Sequence, residues 1–220
     1  MIFNFRRYEN KYLISGTQCA LLEALMSPHM EADPYGEYLV QNLYLDTEAW
    51  DLCRISTEGP LYKEKMRLRS YNGPGGPVFL ELKKKYKGMV YKTRAAFPLE
   101  DTSIGWELSF CLKRNPLTKK LLIGYRRMAY REAGSGPGGD LRITFDRDIH
   151  YRVRDLDFSR PQEGKLLVPS DQVLMEIKTA GGIPLYLTRI LSQEGIFPMP
   201  FSKVGRAYKD HWTSSTTTLA

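Results

Sequence analysis

The chain has 220 residues, 42% of them hydrophobic, which is enough length and apolar content for one large domain with a sizeable core. A net charge of +7 and a pI near 9.2 point to a polyanionic partner: nucleic acid, a phospholipid surface, a nucleotide or polyphosphate. Three widely spaced cysteines exclude a disulfide framework, and no apolar run reaches the about 18–20 residues of a membrane helix; with an N-terminus that lacks a signal-peptide core, a soluble cytoplasmic protein without a transmembrane segment is expected.

Taken in order, RRYENKYLIS reads as a first strand, and Thr17 is placed to cap a short helix that stops at Ser27-Pro28. EYLVQNLYLDT reads as a second strand, after which Thr47 is placed to cap the helix EAWDLCRIS. Strands are expected at about 62–71, 78–86 and 90–98, separated by the turn NGPGGP and by Lys87-Gly88. Residues 103–123 read as mostly helical, with a break at Asn115-Pro116. Strands follow at about 124–132 and 140–149, joined by GSGPGG, and at 173–178. Pro184 suits the first turn of the helix PLYLTRILSQ. The whole reads as a single domain over residues 1–212 with a disordered tail over 213–220. Many antiparallel strands with short helical insertions predict an α+β fold: a closed antiparallel β-barrel of about eight strands with short helices outside.

Within the strands, basic residues recur at every second position. Lys65, Arg67 and Arg69 do so in KEKMRLRSY, Lys83 and Lys85 in VFLELKKKYK, and Lys92 and Arg94 in YKTRAAF; Arg127 and Arg131 share the parity of Tyr125. A strand sends residues i and i+2 to one face, so each run presents a line of cations on one side. Leu80 and Leu82 oppose Phe79, Glu81 and Lys83. Ile143 and Phe145 oppose Arg142, Thr144, Asp146 and Asp148, and Met175 and Ile177 oppose Leu174, Glu176 and Lys178. A single pair of this kind is ordinarily a solvated strand face. The same division in several strands is explained more simply by one barrel with a polar interior. Carboxylates of the right parity are few, namely Glu9, Glu81, Asp146, Asp148 and Glu176. Unpaired buried cations are costly, so the excess calls for a bound polyanion, and the few carboxylates suit Mg²⁺ or Mn²⁺.

At these residues the chain resembles the polyphosphate-polymerase domain of the vacuolar transporter chaperone (VTC) family, within the triphosphate tunnel metalloenzyme (CYTH-like) superfamily. The matching pieces are RRYENKYLI, LYLDT, KMRLRSY, VFLELKKKYKG, VYKTR, GYRRMAY, LRITFD, LMEIK and FSKVGRAY, in that order over residues 6–208. The resemblance implies a β-barrel tunnel that holds a nucleoside triphosphate such as ATP, or polyphosphate, together with a divalent metal, Mn²⁺ or Mg²⁺. It implies a phosphate-binding set of Lys11, Arg67, Arg69, Lys83, Lys92, Arg127 and Arg142, with Tyr125 on the same wall. Glu176 resembles the metal-binding glutamate, and Ser202 and Lys203 resemble contacts at the end of the tunnel. Each has a plainer reading: Glu176 as a carboxylate paired with Lys178 or an arginine, Tyr125 as a packing residue, Ser202 as a helix cap.

The chain also departs from the pattern. The superfamily's first strand carries two alternating glutamates before its lysine, and here those positions are Arg7 and Glu9 before Lys11. A second metal site is therefore in doubt, with Glu9 either joining the single metal or bridging to Lys11. No membrane domain accompanies these motifs, so coupling to transport implies a membrane protein partner. The scattered histidines have no metal spacing, and there is no Walker A sequence, Rossmann fingerprint or Ser-His-Asp candidate. Aromatics placed mostly on the apolar parity or beside turns argue against nucleic acid as the partner. Polyphosphate synthesis from ATP is the leading reading. A triphosphatase or tripolyphosphatase is the second, and a non-enzymatic polyanion-binding module the third.

Overall fold

The computed structural model describes residues 8–87, 89–98, 106–114, 116–135, 140–160 and 163–217. Arg7 lies outside them. The elements run β1 (Tyr8–Ser15), α1 (Gly16–Met26), β2 (Met30–Ala32), β3 (Tyr38–Asp46), α2 (Asp51–Glu58), β4 (Tyr62–Tyr71), β5 (Val78–Tyr86), β6 (Met89–Phe97), α3 (Trp106–Arg114), β7 (Thr118–Glu132), β8 (Arg142–Arg152), β9 (Lys165–Leu166), β10 (Gln172–Thr179), α4 (Leu185–Gln193) and α5 (Lys203–Thr217). The strands form one antiparallel sheet in the order β1-β10-β8-β7-β3-β4-β5-β6, with β2 beside β7 and β9 beside β8.

The sheet curls without closing. Glu9 of β1 reaches Lys83 of β5 at 3.9 Å, although β1 is the first strand of the order and β5 the last but one. No ladder among the described residues joins β1 to β6, which corrects the expected closed barrel. A cavity of about 1010 Å³ lies between these strands, with Tyr8, Glu9 and Lys11 on one side and Lys83, Lys85 and Val90 on the other. The cations that predict a lumen line both sides of this seam, and like charges directly opposite one another oppose pairing.

Apolar residues on the convex face are covered by helices. Tyr12 and Ile14 of β1, Phe145 of β8 and Met175 and Ile177 of β10 pack against Leu22 and Met26 of α1 and Leu187 and Leu191 of α4. Met66, Leu80 and Leu82 pack with Leu108 and Cys111 of α3. The third cluster lies on the concave side. There Tyr44, Leu121, Ile123, Tyr125 and Leu174 meet Phe201, Val204 and Ala207, so the head of α5 fills part of the hollow.

Several local expectations are corrected. Ser15, not Thr17, caps α1: its hydroxyl accepts the Gln18 amide proton while the Gln18 side chain accepts from the Ser15 amide, a capping box. Helix α2 begins at Asp51 rather than just after Thr47. The wholly buried Asp46 carboxylate accepts the amide protons of Leu52 and Cys53, placing an anion at the helix N-terminus. Residues 118–123, expected to be helical, open β7, because pairing from Asp46↔Thr118 to Asn42↔Ile123 overrides their helical period. Helix α5 continues through Thr217, past the point where the tail was expected to start.

A bulge in β8 has functional weight. Pairing passes from Gly124↔His150 to Arg126↔Arg147, and Asp148 takes a left-handed φ of 50°. Asp146 therefore faces the hollow, while Asp148 turns to Arg126 at 2.6 Å. The expectation that the two aspartates share a face is overturned by that one extra residue.

Candidate functional site

The concave face holds two charged groups of different make-up. The first is built by β1, β7, β8, β10 and the head of α5. Asp146, with no exposed surface, accepts from Arg127 Nε at 2.6 Å and Nη2 at 2.8 Å, and from Lys203 Nζ at 2.5 Å. Glu176, 6% exposed, lies 3.0 Å from Lys178, 3.6 Å from Lys203 and 3.7 Å from Lys11. Lys11 also lies 3.3 Å from Glu9 and donates to the Phe201 carbonyl at 2.9 Å. Tyr125 is buried with Lys203 4.6 Å and Arg127 5.1 Å from its ring centre, so it both lines this wall and packs in the apolar cluster.

Burial alone would raise the carboxyl of Glu176, but Lys178, Lys203 and Lys11 outweigh it and hold the group well below the usual carboxylate range. Asp146 is likewise lowered: burial opposes ionisation, and Arg127 and Lys203 overcome it. Burial would lower Lys203, yet Asp146 and Glu176 raise it above an ordinary lysine.

The second group is carried by β4, β5 and β6 and keeps the alternation seen in the sequence. Register sets Arg67 opposite Glu81 and Glu81 opposite Arg94; one row along, Lys65 stands opposite Lys83 and Lys83 opposite Lys92. Glu81 serves Arg67 at 2.7 Å, Arg94 at 3.1 Å and Arg69 at 3.5 Å. Arg67 also donates to the Tyr44 hydroxyl at 3.2 Å, and Arg69 to Asn42 Oδ1 at 3.0 Å.

In the lysine row, burial pushes Lys65 down to about 7, helped by Lys83, Lys11 and Lys63. Burial and then Lys83 and Lys178 bring Lys92 to about 8, although its side chain keeps accessible surface. Lys83 is lowered by burial against the pull of Glu9. Burial would raise Glu9, but Lys83, Lys178 and Lys11 set it at about 2.

The expected phosphate set is thus divided between two walls of one hollow. Lys11, Arg127 and Lys203 stand in the first group; Arg67, Arg69, Lys83 and Lys92 stand in the second. Arg142 is apart, at the end of β8, where it is bonded to Asp33. Ser202 has the plainer role as well as a place on the cavity wall: its hydroxyl accepts the Gly205 amide proton at 3.2 Å at the start of α5, and Lys65 donates to it at 3.0 Å. Sequence reading placed Lys65 and Lys178 on the charged faces without assigning them to the phosphate set, and it did not reach Asn42 or Tyr44. The parity that selected Arg67 and Glu176 selects Lys65 and Lys178 too. Asn42 and Tyr44 carry no charge, and only the pairing of β3 with β4 brings them in. Aromatics on this face are already occupied: the Arg94 guanidinium lies 3.9 Å from the centre of the Phe79 ring.

Among the described residues no cluster of three or more histidine, cysteine or acidic side chains is arranged to hold a metal. Glu176 and Glu9 are the carboxylates that would contribute to a ligand shell, with lysines against both. These residues do not fit an ion held by protein alone. They do fit Mg²⁺ or Mn²⁺ bound by one or two carboxylates plus phosphate oxygens, because Mg²⁺ is commonly bound that way.

A curled antiparallel sheet with helices outside and cations within defines a cation-lined β-channel. The chain belongs to the VTC domain family, whose pattern matches residues 6–210. A Vibrio parahaemolyticus protein provisionally assigned as an adenylate cyclase shares the fold, with a TM-score of 0.50 and 11% identity over 90% of this chain and 95% of its own. A Pyrococcus horikoshii protein gives 0.49 and 14% over 92% and 99%. A Hippeastrum protein described as having a dominant triphosphatase activity gives 0.47 and 17% over 90% and 94%. No curated protein matches the sequence. No described helix is long and apolar enough to cross a membrane.

Proposed function

We propose that the channel transfers the γ-phosphoryl group of a nucleoside triphosphate, ATP foremost, to the end of a growing polyphosphate. The observation that carries this reading is the state of its carboxylates. Glu9, Glu81, Asp146 and Glu176 are each tied to two or more cations, and all are held below the usual range. A general base works best with a pKa near the operating pH, so none of these four suits the activation of water. A terminal phosphate needs no such base, being anionic at neutral pH. Lys65 comes closest to neutrality, and a bound polyanion raises it again.

The length of the cationic wall supports the same reading. From Arg69 to Lys63 along β4 is about 20 Å at the usual strand rise, and the basic rows continue through Lys85 to Arg206 and Lys209 on the cavity wall. Arg67, Arg69, Arg127, Lys11, Lys83, Lys92 and Lys203 would neutralise and align the phosphates, which is most of what phosphoryl transfer requires. Glu176, with Glu9 beside it, would hold a divalent ion whose charge offsets that of the phosphate oxygens.

The test incubates purified protein with ATP and Mn²⁺ and follows long-chain polyphosphate, ADP and free phosphate together. Polymer with ADP is expected. Free phosphate without polymer identifies a triphosphatase, and binding without turnover a polyanion-binding module. Glu176→Gln is expected to abolish metal-dependent turnover while leaving anion binding in place; unchanged turnover would remove Glu176 from the metal site.

A further inference from the structure

Lys65, like Lys63 with its bond to the Ser56 carbonyl at 3.4 Å, is a channel cation whose hydrogen-bonded partner is uncharged. Its Nζ donates to the Ser202 hydroxyl at 3.0 Å, and it has no ion pair among the described residues. Arg67 has Glu81, Lys203 has Asp146, Lys11 has Glu9 and Glu176, and Lys83 has Glu9. Lys65 projects from the concave side of β4, in register with Lys83. The groups facing it are Lys63 on its own strand, Lys83 from β5, Lys11 from β1, the thiol of Cys53 from α2 and Ser202 from the head of α5. Three of these are ammonium groups and none is a carboxylate. Its partner Ser202 and its neighbours Lys11, Lys63 and Lys83 line the cavity of about 1010 Å³.

A hydroxyl is a weak partner for an ammonium group and is needed elsewhere, since Ser202 already accepts the Gly205 amide proton. We propose that Lys65 is a further anion-binding residue of the channel, that Ser202 holds its amino group in the anion-free protein, and that a phosphate oxygen replaces Ser202 when polyphosphate enters, with uptake of a proton at Lys65. This rests on the reading of the channel as a polyphosphate site. Burial, helped by the neighbouring ammonium groups, brings Lys65 to about 7 and supports the proton step. Above that pH the free protein holds Lys65 largely neutral, and an adjacent phosphate favours the charged form. Uptake therefore grows, and affinity falls, as pH rises from 7 towards 9.

Long-chain polyphosphate is the probe, because its internal phosphates carry no titrating proton near neutrality. Calorimetry at pH 8 in two buffers of different ionisation enthalpy gives both affinity and protons taken up. Wild-type protein is expected to bind with net uptake. Lys65→Arg, which stays charged, is expected to keep the affinity and to lose about one proton of that uptake per bound site. Lys65→Met is expected to bind about tenfold more weakly at pH 7, equivalent to about 1.4 kcal/mol. The inference is overturned if Lys65→Arg takes up as many protons as wild type, or if folded Lys65→Met binds as tightly. Should Lys65→Met not fold, the arginine variant decides alone. A wild-type protein that binds no polyphosphate overturns the channel reading itself, which is a different result from an unaltered variant.

Discussion

The two walls of the channel use the same residue types and reach opposite states. On the wall made by β7, β8, β10 and the head of α5, two carboxylates answer the cations, and Lys203 is raised above an ordinary lysine. On the wall made by β4, β5 and β6, the lysine row outnumbers its acids, and Lys65, Lys83 and Lys92 are all lowered. On the first wall the protein supplies counter-charges to its own cations. On the second wall the lysine row lacks that balance, which under the proposed function an anionic ligand would supply. The balanced wall is therefore expected to govern stability, and the unbalanced wall to govern binding.

The largest effect should come from breaking the balanced wall. Asp146→Ala leaves Arg127 and Lys203 buried without their carboxylate and is expected to lower stability by about 3–5 kcal/mol, read from the midpoint of urea unfolding. A loss under 1 kcal/mol would mean that water or Glu176 replaces Asp146 at little cost. On the other wall, Arg67→Glu sets a second carboxylate against Glu81. Tripolyphosphate affinity is expected to fall about a hundredfold or more, measured by calorimetry; retention of wild-type affinity would take the β4 wall out of the binding site.

A smaller effect separates the walls by pH. Unfolded lysine keeps its proton to about 10.4, whereas folded Lys65 and Lys92 release theirs at about 7 and about 8. Between these values the unfolded chain binds more protons at these two sites, so their contribution to stability rises with pH, whereas the buried cysteines, raised by burial, work the other way above about 8.5. Melting temperatures between pH 7 and about 8 should climb, and climb less in Lys65→Met. Identical slopes in the two proteins would dissociate Lys65 from the effect. The smallest change is expected on the convex side: Ser15→Ala removes a helix cap and should cost about 1 kcal/mol. Polyphosphate affinity should be untouched, because α1 packs on the outer face. A shift in affinity would show that the convex side communicates with the channel.

Much of this division was legible before the fold was known. The period-two placement of Lys65, Arg67 and Arg69 fixes a common face whatever strand lies beside them, and the registers Lys65↔Lys83↔Lys92 and Arg67↔Glu81↔Arg94 follow that parity. What escaped depended on long-range pairing. The bulge that separates Asp146 from Asp148 leaves no period in DRDIH, and the strand character of Thr118–Ile123 arises from β3. Asp46 reads as the end of a strand, and only the return of α2 makes it a helix-terminal anion. The open seam was hidden for a related reason. Alternation says which face a lysine takes, not how far apart the first and last strands of the sheet come to rest.

Under the proposed function, that seam bears on how a long polymer would be loaded. A hydrogen-bonded ring is a needle's eye, which a chain must thread by one of its ends. Between β1 and β6 the ladder is missing, and a side-chain contact such as Lys83 to Glu9 at 3.9 Å reaches across instead. Such a gap works as a slot rather than an eye. Parting it leaves the ladders of the sheet intact, with the segment at 199–202 still tied to Lys11 of β1 and, through Ser202, to Lys65 of β4, so under the proposed function a polyphosphate would enter sideways beside that segment.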